Sequence, residues 1–456
     1  MNIEQIYKTH KETFNAQVTK NVEKRKQVLA KILSYLEDHE DDINAALLKD
    51  LGKQRAEAYL SEIGMIYDTM SYLEKNIDKW TKPRKVGSTI KSFYFKSSVV
   101  YEPYGNVLVM APWNYPFLLT MEPAVNAIAA GNTVVVKPSE YAEETTKFLL
   151  NMADEVDEPG IFSVVGGDSR VARELLMHKW DYIFFTGSQN VGKVVYKRAA
   201  NFLTPVTLEL GGKSPTIVSN DAELSLAAKR IAFGKFLNAG QTCVAPDYVF
   251  VHKDVYAEFI NLLSQNIKEF FGEHPLDSEE LCHIINRKHF NRLMSLAEGQ
   301  HFILGGNANE RTLKFEPTLI EGAKAEDRIM QEEIFGPLLP ILPYTNIDDV
   351  ISYINDHPKP LALYLFTESK ELQDHVMSAC SFGGGCINDT IIHLTEKELP
   401  FGGVGESGIG HYHGFYSFET FSHAKSILNS STRRDITWRY YPLDEDKEYT
   451  IRKQFK

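Results

Sequence analysis

YIFFTGSQNVGKVVYKRAA, residues 182–200, begins with four large apolar side chains in a row, turns at Thr186-Gly187-Ser188, and continues with apolar residues three and four apart. An unbroken apolar run of this length fits a strand buried on both faces, and the spacing after it fits an amphipathic helix. The same switch recurs upstream. NVLVMAP (106–112), TVVVKP (133–138) and IFSVV (161–165) are short apolar runs stopped by proline or by the Gly166-Gly167 pair, and helical patterns fall near 141–156, 169–178 and 190–201. Strands alternating with amphipathic helices predict an α/β chain whose parallel sheet is covered on both faces and receives ligands at the carboxyl ends of its strands.

Working outward, a second strand-helix series runs through TLELGGKSPTIV (207–218), DYVFVHKDVYAEFINLLSQNIKEFF (247–271), ILPYTNIDDVISYI (341–354) and LALYLFTESKELQDHVMSAC (361–380), and predicts another α/β domain. Residues 18–80 read as helices with a stop at Gly52. SFYFKSSVVYEPYG (92–105) alternates like a half-buried strand pair. LPFGGVGESGIGHYHGFYSFETF (399–421) is too aromatic for disorder and too glycine-rich for a regular helix, so it reads as a structured loop near a site. The polar tail after Ser430, with RDITWRYYPLDEDKEY (434–449), is expected to form a strand or an arm on another subunit. No internal repeat or low-complexity segment interrupts this pattern.

At 456 residues the chain is long enough for two or three cores. Its 49 Lys and Arg stand against 61 Asp and Glu, a formal net charge of -12, which removes the electrostatic ground for binding nucleic acid or an anionic membrane surface. A small organic substrate fits better. The four cysteines (243, 282, 380, 386) have neither disulfide-framework nor zinc-site spacing, so a reducing compartment and no metal are expected. The charged N-terminus and the lack of an apolar run near the roughly 20 residues of a membrane helix predict a cytoplasmic protein.

Five short stretches carry chemistry, each with a plainer alternative. In GKFLNAGQTCVAP (234–246), Cys243 sits among small and amide residues, as a nucleophile or as a small buried hydrophobe. In FTGS, Gly187 and Ser188 turn the chain so that helix N-terminal amides face an anion, or merely make a tight turn. VVVKPSE ends a strand with Lys137 and Glu140 at the sheet mouth, for ribose and phosphate or for solvent. VTLELGGKS holds Glu209 between apolar neighbours and a glycine pair, as a general base of raised pKa or as a structural carboxylate on backbone amides. MAPWNYPF puts Asn114 after a strand, as an oxyanion donor or an Asx-turn.

Taken together these stretches resemble the aldehyde dehydrogenase superfamily over nearly the full length. The motifs stand in the family's order: P-W-N-Y-P (112–116), K-P-S-E (137–140), F-T-G-S (185–188), L-E-L-G-G-K-S (208–214), F-x-x-x-G-Q-x-C (236–243), E-I-F-G-P (333–337) and P-F-G-G (400–403). W-N-Y-P and Y-H-G (412–414) resemble the class 3 branch, which includes fatty aldehyde dehydrogenases, here without their apolar membrane tail. The resemblance implies a Rossmann-like cofactor domain (1–82 and 103–208), an α/β catalytic domain (209–398), a glycine-rich loop region at the site (399–419) and small oligomerisation strands (83–102 and 420–456).

It further implies NAD(P)-dependent oxidation of an aldehyde, medium or long-chain or otherwise apolar, to the acid through a cysteine thiohemiacetal and thioester. Cys243 is then the nucleophile, Asn114 with the Cys243 N–H the oxyanion site, and Glu209 the base. Lys137 and Glu333 bind the two cofactor riboses, Phe335 packs at the nicotinamide end, and Gly187 and Ser188 lie near the pyrophosphate. Glu140 near the adenine ribose favours NAD over NADP, although relatives with K-P-S-E accept either. Trp113, Tyr115 and Phe401 belong to the substrate pocket, and a homodimer is expected. His411 and His413 read as loop hydrogen-bonders, and Cys282, Cys380 and Cys386 as structural. Three rival readings remain: a CoA-acylating relative, against which Glu209 argues; a silent relative, against which the intact Cys243, Glu209 and Asn114 argue; and a cysteine hydrolase, which needs a histidine partner.

Overall fold

The computed structural model describes residues 2–87 and 95–455. Residues 88–94, of which 92–94 belong to the expected strand pair, and the end residues 1 and 456 lie outside the described residues. The chain opens with helices: those within 18–80 follow the predicted spacing, and one more, Ile3–Asn15, precedes them. Asn2 caps Ile3–Asn15 by accepting the Gln5 N–H, Asn21 caps Val22–Asp38 by accepting the Glu23 N–H, and Glu40–Leu51 stops at Gly52, whose φ of 74° suits glycine.

Two large sheets follow. The first is built from β3 (Asn106–Met110), β4 (Thr133–Lys137), β5 (Phe162–Val164), β6 (Tyr182–Thr186), β7 (Val206–Glu209) and the short β17 (Gly408–Ile409), in the order β17-β7-β6-β3-β4-β5. β3 to β7 are parallel, and β17 closes the edge antiparallel to β7. The chain steps from β3 outward to β5, then returns to lay β6 and β7 on the other side of β3. This reversal opens a crevice at the carboxyl ends of β3 and β6.

The apolar runs follow from burial on both faces. Val107, Val109, Val134, Val136 and Phe184 join one core, whereas Leu108, Met110, Val135, Ile183 and Phe185 join a second on the opposite face with Trp180, Val195 and Leu208. Each such side chain contributes about 1.5–3 kcal/mol through burial.

The second sheet is built from β8 (Pro215–Val218), β9 (Tyr248–His252), β10 (His301–Leu304), β13 (Thr318–Glu321), β14 (Leu338–Tyr344), β15 (Ala362–Phe366) and β16 (Gly384–Ile387), in the order β10-β13-β14-β9-β8-β15-β16, with only β10 antiparallel. β11 (Ala308–Asn309) and β12 (Lys314–Phe315) make a small ribbon. A third sheet joins β1 (Arg84–Val86), β2 (Phe95–Pro103) and β18 (Ser422–Ser430) in the antiparallel order β1-β2-β18, so the stretch 92–105, read as a strand pair, contributes a single described strand whose partners come from 84–86 and 422–430.

Beyond Ser430, where a strand or an arm on another subunit is expected, the chain forms a helix, Glu445–Gln454, none of whose residues is buried. Local terms build it: the Asp444 side chain accepts the Lys447 N–H, the first turn is acidic and the last basic, and Arg452 pairs with Glu448.

Candidate active site

The helix Leu224–Phe236 ends, and Asn238, Ala239 and Gly240 follow in left-handed conformation with φ of 52°, 51° and 74°. Two non-glycine residues in this region cost about 1–2 kcal/mol each, so something must hold them. Asn238 donates its N–H to Glu57 (2.8 Å) and its side-chain amide to the Asn114 carbonyl (2.8 Å). Gln241 donates to the carbonyls of Asn238 and His283 (3.1 and 3.0 Å) and accepts the Ile285 N–H (3.0 Å). Glycine is required at 240, where a Cβ would stand 2.4 Å from the Gly336 carbonyl oxygen. The amides and small residues around Cys243 are thus the fasteners of a strained turn that presents the cysteine.

Cys243 faces a cleft of about 600 Å³. The walls come from the carboxyl ends of the first sheet (Trp113 and Asn114 after β3, Gly187 and Ser188 after β6, Glu209 at the end of β7) and from segments leading into the second sheet (Lys213, Cys243, Tyr248, Glu333, Phe335 and 357–360). The glycine-rich segment contributes Phe401, Glu406 and Tyr412. Its glycines let backbone pack on backbone: a Cβ on Gly408 would meet the Leu208 carbonyl at 2.5 Å.

Glu209 is buried, and among the described residues neither carboxylate oxygen has a hydrogen-bond partner, so the alternative of a structural carboxylate held by amides is not what is observed there. Burial alone drives its pKa well above the ordinary carboxylate range. The Cys243 thiol is pushed up to about 12, first by burial and then by the charges of Glu333 and Glu209, while the N–H groups of Cys243 and Val244 pull the other way. Those charges are carboxylates, not the histidine a cysteine hydrolase requires. Asn114 donates one side-chain hydrogen bond to the Gln241 carbonyl (3.0 Å), leaving its second amide proton free for a ligand.

On the far wall, Lys213 bonds Asp247 and the carbonyls of Ile329 and Glu332 (2.9 and 3.0 Å), and Asp247 accepts the Ile334 N–H (2.9 Å). Arg292 donates to the carbonyls of Glu333 and Ile334 (3.1 and 2.5 Å). This lattice fixes the segment that offers Glu333, whose carboxyl is raised to about 8 by burial and by Asp247, and Phe335, which stands edge-on to Trp113 at 5.3 Å.

Lys137 and Glu140 pair at 3.2 Å away from this cleft, at the end of β4. Glu140 lines a separate cavity of about 610 Å³ with Thr146, Leu150, Val165, Gly166 and Gly167. Tyr115 corrects the expectation made for it. It does not line the cleft, because on the tight 112–117 turn its ring points inward, where its hydroxyl bonds Thr242 (2.6 Å) and its face lies under Lys53. His413 donates its backbone N–H to Ser417 Oγ (2.8 Å), in keeping with a loop hydrogen-bonder, while its ring is buried and stacked on Phe401 at 5.1 Å and its pKa is lowered to about 3 by burial. Among the described residues no group of three or more His, Cys, Asp or Glu is placed to hold a metal.

A half-buried thiol, an unpartnered buried carboxyl and a free amide proton converge on one cleft at the switch point of a doubly wound sheet, and the model of the aldehyde dehydrogenase family matches residues 1–427. The chain belongs to the aldehyde dehydrogenase family. It is similar to the 4,4'-diaponeurosporen-aldehyde dehydrogenase of Staphylococcus aureus, 46% identical over 433 residues that cover 94% of each chain. It is also similar to a dimeric, NADP-preferring aldehyde dehydrogenase of Canis lupus familiaris, 39% identical with 93% and 94% covered. Among solved structures, a substrate-bound state of Staphylococcus aureus AldH superposes with a TM-score of 0.97 at 45% identity, covering 100% of both chains.

This aldehyde dehydrogenase therefore oxidises aldehydes to carboxylic acids with NAD(P). Its residues suit such a dinucleotide: Glu333 Oε1 is buried without a partner among the described residues, the N-cap hydroxyl of Ser188 leaves the amides of a 12-residue helix unclaimed, and the glycine-floored cavity beside Glu140 lies along the same sheet edge. No described helix is long and apolar enough to cross a membrane.

Proposed function

We propose that this aldehyde dehydrogenase acts on medium- or long-chain, or otherwise apolar, aldehydes through Cys243, Asn114 and Glu209. The aldehyde carbonyl lies with its oxygen toward the Asn114 amide and the Cys243 N–H. Cys243 gives up its thiol proton to water, its sulfur adds to the carbon as the C=O π bond opens, and the two donors stabilise the developing oxyanion; the sulfur regains a proton when the C–S bond later breaks. A nicotinamide dinucleotide, when bound, supplies the acceptor for the hydride leaving that carbon, and a thioester remains on Cys243. Glu209 then takes a proton from water, hydroxide adds to the thioester carbon, the C–S bond breaks, and the acid departs. Lys137 and Glu140 would hold the adenine-side ribose, Ser188 and Gly187 the pyrophosphate, Glu333 the second ribose, and Phe335 the nicotinamide end. The observation that carries this reading is the Glu209 carboxyl, buried, unpartnered and facing the same cleft as Cys243.

The apolar substrate class is supported by Trp113, Leu119, Phe335, Phe401 and Tyr412 on the cleft wall. Glu140 favours NAD, because a carboxylate accepts hydrogen bonds from a ribose 2′-hydroxyl and repels a 2′-phosphate. Residues 1–82 and 103–208 form the cofactor domain and 209–398 the catalytic domain. The oligomerisation element, 83–102 with 420–456, would join a homodimer. β18 supports this, since among the described residues its nine residues keep an unpaired, mostly exposed outer edge, and such an edge pairs readily with another strand. Four free cysteines support a reducing, cytoplasmic setting.

The test is cofactor reduction over short, long-chain and aromatic aldehydes, including 4,4'-diaponeurosporen-aldehyde, by the wild type and by Cys243→Ala, with NAD and with NADP. Saturable turnover that rises with apolar chain length and vanishes in the variant supports the reading. Preference for short polar aldehydes, or turnover retained by Cys243→Ala, refutes it.

A further inference from the structure

Behind the cleft, in the helical opening of the chain, lies a lysine that no solvent reaches. Lys53 is 0% exposed, as is Glu62, and the two form an ion pair at 2.5 Å. Isolating two charges from water is expensive unless every remaining valence is used. Here they are used on one short segment. Lys53 donates to the backbone carbonyl of Asn114 (3.1 Å) and lies 3.9 Å from the centre of the Tyr115 ring; the second oxygen of Glu62 accepts the N–H groups of Phe117 and Leu118 (2.9 and 3.1 Å). Glu62 is delivered by a π-helical turn, Tyr59–Ile63, a distortion found at functional sites more than elsewhere. The Asn114 carbonyl that Lys53 holds also receives the Asn238 side chain, and Asn238 belongs to the strained turn before Cys243.

We propose that Lys53 and Glu62 are positioning residues for the oxyanion site: they clamp the 114–118 backbone so that the Asn114 amide keeps a fixed place relative to Cys243. This rests on the reading of Asn114 as the oxyanion donor. The pair touches neither aldehyde nor cofactor. Its effect is confined to the step in which charge gathers on the carbonyl oxygen, because a displacement of the donor weakens the transition state more than the ground state.

The experiment is a double-mutant cycle on acyl transfer to Cys243. p-Nitrophenyl acetate serves as probe without cofactor: the sulfur attacks the ester carbonyl through a tetrahedral oxyanion, p-nitrophenolate leaves, and the acetyl thioester remains. Asn114→Ala slows this step by about 10²–10³-fold if it removes an oxyanion donor. Lys53→Met slows it by about tenfold or more, and in the Asn114→Ala background it adds less than about twofold, since the donor it positions is gone. The charge-neutral Lys53→Met/Glu62→Gln pair avoids an uncompensated buried carboxylate and keeps the cycle readable if Lys53→Met does not fold. NAD affinity, followed by fluorescence, stays within about twofold of wild type. Independent, multiplicative effects of Lys53→Met and Asn114→Ala overturn the proposal and leave the role of Asn114 standing. An Asn114→Ala variant that acylates at the wild-type rate overturns the underlying reading and the proposal with it.

Discussion

Glu209→Gln separates the two halves of the reaction. The substitution keeps the shape of a buried side chain whose oxygens have no protein partner, so it breaks no hydrogen bond and leaves the fold intact. It removes the carboxylate's part in the reaction, proton removal from water during thioester hydrolysis. A positioned general base contributes roughly 10²–10⁴-fold, which corresponds to about 3–5.5 kcal/mol of barrier. Addition of Cys243 and loss of the hydride precede that step and should proceed near the wild-type rate. Stopped-flow mixing of the variant with aldehyde and NAD should show a burst of cofactor reduction close to one equivalent per site, followed by steady-state turnover slowed about 10²–10⁴-fold. Mass spectrometry of the quenched enzyme should find the acyl group on Cys243. Steady-state turnover within threefold of wild type, or loss of the burst together with turnover, refutes the assignment of Glu209 to hydrolysis.

Three further outcomes are expected. With the Cys243 thiol pushed up to about 12, the thiolate is scarce at neutral pH, so alkylation by iodoacetamide without cofactor should run about 10²–10³-fold below a free thiol at pH 7 and climb steadily through pH 9–11; a plateau near pH 8 contradicts this. Glu140→Gln should shift the kcat/KM ratio for NADP over NAD upward by about tenfold, and an unchanged ratio removes Glu140 from the adenine ribose. Gly240→Ala places a Cβ against the Gly336 carbonyl at a φ of 74°, so it should cost at least about 1–2 kcal/mol and lower Tm, which calorimetry reads directly.

How much of this the sequence discloses depends on where the holding force comes from. The parallel sheets are legible because strands buried on both faces must be apolar at every position, and a short run such as Val107-Leu108-Val109-Met110, closed by proline, fits little else. The groups proposed to react are legible for a related reason: a carboxyl, an amide and a thiol each stand beside glycine, proline or small residues, the first two where a strand ends and the thiol on the turn that follows a helix. The tail helix is hidden, because caps and i,i+4 pairs build it without an apolar stripe. Tyr115 misleads because adjacency to Asn114 in sequence says nothing of direction on a tight turn.

Lys53 is hidden most completely. Nothing in LGKQRAEAYL distinguishes a lysine enclosed by the protein from one in solvent, and its partners lie 9 and 61 residues away. The three groups proposed to meet the aldehyde are thus visible one at a time, whereas the groups that hold them in register are visible only in three dimensions. A chemically active residue is constrained by its own reaction, and the constraint shows as an odd residue in an odd place. A supporting residue is constrained by its contacts, and an ordinary lysine or glutamine satisfies them. Gln241 illustrates the boundary: its amide ties Asn238, His283 and Ile285 into one unit, yet it stands two positions from the nucleophile and so enters the same recognisable motif. Lys53 does comparable work for Asn114 from a different part of the chain, which is why a cycle of paired substitutions, rather than inspection of sequence, is what can expose it.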